Sequence, residues 1–246
     1  MLLLHGYPES SYMWRHLLPE VAARGRRAVA PDLAGFGDSA PDPPGTWERH
    51  IESIERFRTA AGLDRVALVV HDWGGLIGLA WACDHPDAVS ALVISGTGFF
   101  SDAKWHGLAQ AMRTEGTGEE LVASIDRAGF GAMLGGASRA MDDAALDEYW
   151  KAYADDQRRR GQLEFYRSLD FEMLGRYDGG LAALGVPVLL VWGADDPFAP
   201  VAAARRFERE LPDTELVVVD AGHFVFEDAP EPCAEAVGAF LERAPA

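Results

Sequence analysis

The segment Leu68-Val69-Val70-His71-Asp72-Trp73-Gly74-Gly75 is an apolar run that stops at a polar residue and continues through two glycines into a helical pattern. A strand-to-helix turn of this kind holds its central residue in a strained backbone and projects that side chain above the sheet. The projected residue is Asp72, a carboxylate placed to act as a nucleophile. The N–H of Trp73, opening the next helix, faces any anion formed beside it. Taken alone, an aspartate before a helix is also a common N-cap. Other segments add chemistry. His5-Gly6-Tyr7-Pro8 follows an apolar strand, where a second anion-stabilising N–H, that of Tyr7, belongs in this architecture. Trp192-Gly193-Ala194-Asp195-Asp196-Pro197 and Ala221-Gly222-His223-Phe224 each follow a strand, so nucleophile, acid and histidine fall in one chain order.

The elements that must position these residues are short β-rich runs alternating with amphipathic helical patterns, which predicts an α/β fold with a mostly parallel sheet. Strands are expected at Leu2-Leu3-Leu4, Arg27 to Ala30, Val66 to Val70, Ala91 to Ile94, Val186 to Trp192 and Glu215 to Val219. Crossover helices are expected from about Ser11 to Arg24, Trp47 to Ala61, Gly75 to Cys83, Val201 to Leu211 and Pro230 to Leu241. Between about Phe99 and Gly180 the pattern turns helical, with pieces at Trp105 to Arg113, Glu119 to Ala128, Asp143 to Arg160 and Leu163 to Phe171. The expected organisation is a core of residues 1–98 and 181–246 with a helical cap of 99–180 over the site.

With Asp72 at the turn, the chain resembles the α/β-hydrolase superfamily over essentially its full length. The subgroup it looks like is the one with an aspartate nucleophile, the haloalkane dehalogenases and epoxide hydrolases. Val70 to Gly75, Ser10 to Arg15, and Gly222-His223-Phe224 followed by Glu227-Asp228 look more like dehalogenases. His5-Gly6-Tyr7-Pro8-Glu9 leans towards epoxide hydrolases.

The resemblance implies attack by Asp72 on an sp³ carbon, an alkyl ester on Asp72, and water activated by His223. The acid that orients His223 is expected to be Asp196, with Asp195 the alternative. Trp73 and Tyr7 are the expected oxyanion and halide donors, and Trp105 is proposed as a second indole donor to halide, although a tryptophan in a helical insert also serves simply as packing. Epoxide opening needs cap tyrosines; Tyr149 looks like one of the pair and the other is missing from its usual place. The lead function is therefore haloalkane dehalogenase, then epoxide hydrolase with the same nucleophile, then a non-catalytic ligand-binding homologue.

The whole chain bounds these readings. Its 246 residues carry 22 basic and 39 acidic side chains, a net charge of −17, which disfavours nucleic acid and anionic membrane surfaces and suits a small neutral organic substrate. No histidine pair has metal-ligand spacing, so neither metal nor other cofactor is expected. Cys83 and Cys233 read as reduced, buried hydrophobes, and with no apolar run long enough to span a bilayer a cytoplasmic location is expected. In the resembled superfamily His5-Gly6 follows the third strand, so the first two strands are expected to be missing, with a natural start roughly twenty-odd residues earlier. The strand at Arg27 to Ala30 would then be an edge, inviting a homodimer or lowering stability.

Overall fold

A computed structural model describes residues 1–244. Five parallel strands lie in chain order: β1 (Leu2–Leu4), β2 (Val66–His71), β3 (Val89–Ser95), β4 (Val188–Gly193) and β5 (Thr214–Val219). The register runs Leu2 to Leu68, Leu68 to Leu92, Leu92 to Val188 and Val188 to Thr214. Every residue of β1 to β4 is buried, which is why these strands read as unbroken apolar runs instead of alternating ones. β5 is the half-exposed edge, with Val218 42% exposed.

Helices α1 (Leu17–Ala23), α2 (Trp47–Ala60) and α3 (Trp73–Asp84) are joined near the C-terminus by α10 (Val201–Glu210), α11 (Val225–Asp228) and α12 (Pro230–Arg243). α2 packs on α3, and α1 on α12. Two indoles fasten the first pair: Trp47 Nε1 donates to the Leu76 carbonyl and Trp81 Nε1 to Glu55, both at 2.9 Å. α3 is buried on nearly all sides, so its sequence is apolar around the whole helix.

Between β3 and β4 the chain is helical: α4 (Gly107–Arg113), α5 (Thr117–Ser124), α6 (Arg127–Gly135), α7 (Asp143–Trp150), α8 (Asp156–Arg167) and the short α9 (Gly180–Ala183). α8 is keyed to the core, because Arg158 donates to the carbonyls of Gly35 (2.9 Å) and Gly37 (3.3 Å). Among the described residues no helix is long and apolar enough to cross a membrane.

The structure departs from the sequence-based elements at identifiable residues. Arg27 to Ala30 is no strand but a single bridge of Val29 to β1, because Pro31 offers no N–H to continue the ladder. Ser11 to Arg24 is broken into a 3₁₀ turn (Ser11–Trp14) and α1, since Pro19 is tolerated only in the first turn of a helix. Asp126 and Asp155 each cap a new helix, accepting from the N–H of Gly129 (2.7 Å) and Arg158 (2.9 Å), which divides the predicted Glu119 to Ala128 and Asp143 to Arg160. α8 then continues through Gly161 to Arg167 without the expected break.

Candidate active site

Asp72 stands between β2 and α3 at φ +48°, ψ −119°, a conformation that a side chain adopts only when its surroundings enforce it. Those surroundings are tight. The Asp72 carbonyl accepts from Thr97 Oγ1 (2.7 Å) and from the N–H of Gly75 (2.8 Å), and its own N–H donates to the Ser95 carbonyl (3.1 Å). A Cβ at Gly74 would stand 2.3 Å from the Leu4 carbonyl oxygen, and one at Gly6 would stand 2.5 Å from the Asp72 Cβ. These two glycines therefore allow β1, the turn and α3 to meet.

The Tyr7 N–H donates to Asp72 Oδ1 at 2.7 Å. Trp73 is the first residue of α3, so its N–H has no intrahelical acceptor. His223 lies across the cleft, with Nε2 3.5 Å from Asp72 Oδ2 and Nδ1 2.8 Å from Asp196 Oδ2. The other Asp196 oxygen accepts from the N–H groups of Phe198 and Ala199, both at 2.8 Å. Of the two neighbouring acids, then, it is Asp196 that holds the histidine; Asp195 is exposed and paired with Arg139.

Electrostatics follow from this sandwich. Burial opposes a charged His223, but the two carboxylates overcome it and raise its pKa to about 10. Burial likewise opposes the Asp72 carboxylate, yet the hydrogen bond and charge of His223, aided by the Tyr7 N–H, hold it below the usual range. Asp196 is held low in the same way, with its backbone donors contributing. The two carboxylates thus favour the imidazolium form of His223 in the resting site.

A cavity of about 180 Å³ opens over Asp72, lined among others by Trp73, Trp105, His106, Phe171 and Phe198. The Trp105 indole stacks on that of Trp73, with centroids 5.5 Å apart and planes inclined by 21°. Its Nε1 is buried and has no hydrogen-bond partner among the described residues. Phe165 packs on Trp73 at 4.0 Å, and Tyr166 sets its ring edge-on to Tyr7 at 4.8 Å. Burial raises the Tyr166 phenol well above its usual pKa, so it is a neutral hydroxyl.

Tyr149 stands elsewhere. Its hydroxyl bonds Glu227, which is itself held by Arg15 through two contacts of 2.6 and 2.7 Å, so the expected cap acid belongs to a structural network. Tyr166 takes the place by the nucleophile, lining a recess with Asp72, Tyr7 and His223. It lies on the buried stripe of α8 with Gln162, Leu163 and Phe165, a stripe legible only once the helix is known to be continuous. Tyr153 meets the Tyr7 hydroxyl, and burial pushes its pKa up to about 12.

Sequence reasoning also passed over Glu9. It is fully buried, receives the Gly6 N–H at 3.2 Å, and lies 3.5 Å from His71 Nε2. Burial raises its carboxyl well above the usual value. His71, the residue before the nucleophile, packs against His223 with centroids 4.8 Å apart. Burial and the His223 charge depress its pKa to about 3, so it stays neutral.

Comparison with known proteins agrees with this geometry. The alpha/beta hydrolase fold family matches residues 1–230. The chain is 30% identical to cis-3-alkyl-4-alkyloxetan-2-one decarboxylase of Xanthomonas campestris pv. campestris, covering 100% of this chain and 89% of that protein. It is 31% identical to a haloalkane dehalogenase of Sphingobium indicum, covering 99% and 88%. The crystal structure of haloalkane dehalogenase DbeA from Bradyrhizobium elkani superposes with a TM-score of 0.87 at 26% identity, covering 98% of this chain and 89% of that one. With an aspartate at the strand-to-helix turn and a histidine bridging it to a second acid, this chain belongs to the α/β-hydrolase fold family, in its haloalkane dehalogenase group.

Proposed function

We propose that the protein hydrolyses small haloalkanes to alcohol and halide through an ester on Asp72. The observation that carries this reading is the buried, unpartnered Trp105 N–H stacked beside Trp73 in the cavity over Asp72. A buried donor left without an acceptor is costly, and an indole, which donates and cannot accept, suits a halide. The Asp72 carboxylate attacks the carbon bearing the halogen. The carbon–halogen bond breaks, halide leaves towards the two indoles, and an alkyl ester forms.

Ester formation also prepares the second step. It removes the Asp72 charge, one of the two that raise the His223 pKa, so that His223 releases its proton to solvent and becomes the base. His223 takes a proton from water, hydroxide adds to the ester carbonyl carbon, and the oxyanion lies against the N–H groups of Tyr7 and Trp73. Collapse expels the alkoxide, which takes the proton from His223. The Asp72 carboxylic acid left by the collapse gives its proton to His223, which restores the carboxylate and the imidazolium, so that one proton per turnover has gone to solvent. The helices between β3 and β4 act as the cap that keeps bulk water from the ester.

A second reading uses the same nucleophile with an oxygen leaving group, as in an epoxide or an oxetan-2-one. Tyr166 supports it, because a neutral phenol beside Asp72 can protonate a departing alkoxide. Incubating His223→Gln protein with 1-bromohexane and with styrene oxide, followed by intact-mass and peptide analysis, tests both. An alkyl adduct on Asp72 with bromide release supports the dehalogenase. With wild-type protein, diol from styrene oxide without bromide release from 1-bromohexane decides for the second reading. No adduct from either substrate sinks both.

A further inference from the structure

His106 plays no part in the chemistry above, yet it lines both the cavity over Asp72 and the adjoining recess that holds His223 and Tyr166. Its orientation is set from two sides. Nδ1 accepts from the Ala109 N–H at 3.4 Å, capping α4, and the ring packs against Phe198 with centroids 4.7 Å apart. A ring nitrogen that accepts from a backbone N–H carries no proton, so in the neutral ring the proton sits on Nε2. Burial lowers the His106 pKa, which keeps the ring neutral. Nε2 makes no hydrogen bond among the described residues. Nearby, Lys104 is exposed and lines the same cavity; it makes no salt bridge within 4 Å among the described residues, and its charge also acts on Asp102.

The polar side chains lining the cavity are therefore donors: the Trp105 indole, the His106 imidazole, the Lys104 ammonium and the Trp73 indole, whose N–H is shared with the Tyr166 hydroxyl. The exceptions are Asp72, the nucleophile, and the Thr97 hydroxyl, whose proton is given to the Asp72 carbonyl. We infer that the substrate is a haloalkane ending in a carboxylate, whose oxygen accepts from His106 Nε2–H while Lys104 balances its charge at the mouth. This rests on the dehalogenase reading only for the identity of the reacting carbon. It replaces the wholly neutral substrate suggested by the net charge, since the local field at a cavity, and not the sum over the surface, decides what enters.

The test is the ratio of kcat/KM for 6-bromohexanoate over 1-bromohexane. Wild type is expected to favour the carboxylate about tenfold, the worth of one hydrogen bond to a charged group. His106→Asn keeps an N-cap for α4 but lacks Nε2–H, and should cut the ratio to about threefold or less; Lys104→Met should lower it as well. A wild-type ratio near one, or a ratio unmoved by both variants, overturns the inference while bromide release from 1-bromohexane leaves the dehalogenase reading standing. Calorimetry with hexanoate and 1-hexanol on Asp72→Asn protein separates the two claims without turnover. Tighter hexanoate binding that is lost in the Asp72→Asn, His106→Asn double variant supports the carboxylate site even if neither bromide is released, an outcome that sinks the dehalogenase reading alone. Equal binding of acid and alcohol overturns the inference.

Discussion

Asp196 grips His223 through one carboxylate oxygen, 2.8 Å from Nδ1, while its other oxygen is tied to the backbone N–H groups of Phe198 and Ala199. The acid is thus fixed before it fixes the histidine. Asp196→Asn offers Nδ1 an amide with a donor end and disturbs the tautomer that the second step requires. The expected result is a fall in steady-state turnover of roughly 10²- to 10⁴-fold, with a burst of about one bromide per enzyme, because alkylation uses Asp72 and the halide donors but not Asp196. Rapid-quench halide measurement reads the burst. Asp195→Asn, on the exposed neighbour, should change turnover less than about twofold.

The stacked indoles give a second prediction. Trp105→Phe keeps a ring against Trp73 and removes only the N–H. Bromide quenching of tryptophan fluorescence should then require about tenfold more salt, the loss of one charge-assisted hydrogen bond. Unchanged quenching would assign Trp105 to packing.

The pH dependence of stability follows from His223. Its folded pKa of about 10 lies above its unfolded value of 6.5, so the charged form is the one that folding favours. The resulting stabilisation is complete below about pH 6.5 and is lost as pH rises towards about 10. The Tm gap between wild type and His223→Gln should therefore be widest near pH 6 and narrow steadily towards pH 10. A gap that widens over that range contradicts the charge assignment.

Tyr149 and Tyr166 should separate cleanly. Tyr149→Phe removes a hydrogen bond to the Glu227 carboxylate and is expected to cost about 1.5–3 kcal/mol, lowering Tm by several degrees without altering bromide release. Tyr166→Phe should leave Tm nearly unchanged and alter kinetics at the nucleophile. Thermal melts beside halide-release assays on both variants check the pair.

How much of this was legible in the sequence depends on range. Asp72, Asp196 and His223 each follow an apolar strand within a few residues, and a parallel sheet brings the C-terminal ends of its strands together, so local spacing foretold a non-local meeting. The choice between Tyr149 and Tyr166 had no such guide. Both sit on helices of the insert, and which one faces the nucleophile depends on the break at Asp155 and on the angle at which α8 lies. Periodicity ran through that break because a capping aspartate and a surface aspartate look alike in sequence. Glu9 was missed for a different reason: a charged residue in a loop is expected in water, and only the packing of His71 and Gly6 around it puts it inside.

Arg158 reaches from α8 to the carbonyls of Gly35 and Gly37, while the same helix carries Phe165 and Tyr166 to the nucleophile. The loop at Gly35 to Gly37 is thus coupled to the pocket through Arg158: α8 sets Tyr166 beside Asp72 and Phe165 against Trp73, although neither glycine lines the cavity over Asp72. Distance from the reacting carbon is consequently a poor guide to which positions govern substrate range in this enzyme, and a mutational library confined to the cavity lining would overlook this lever.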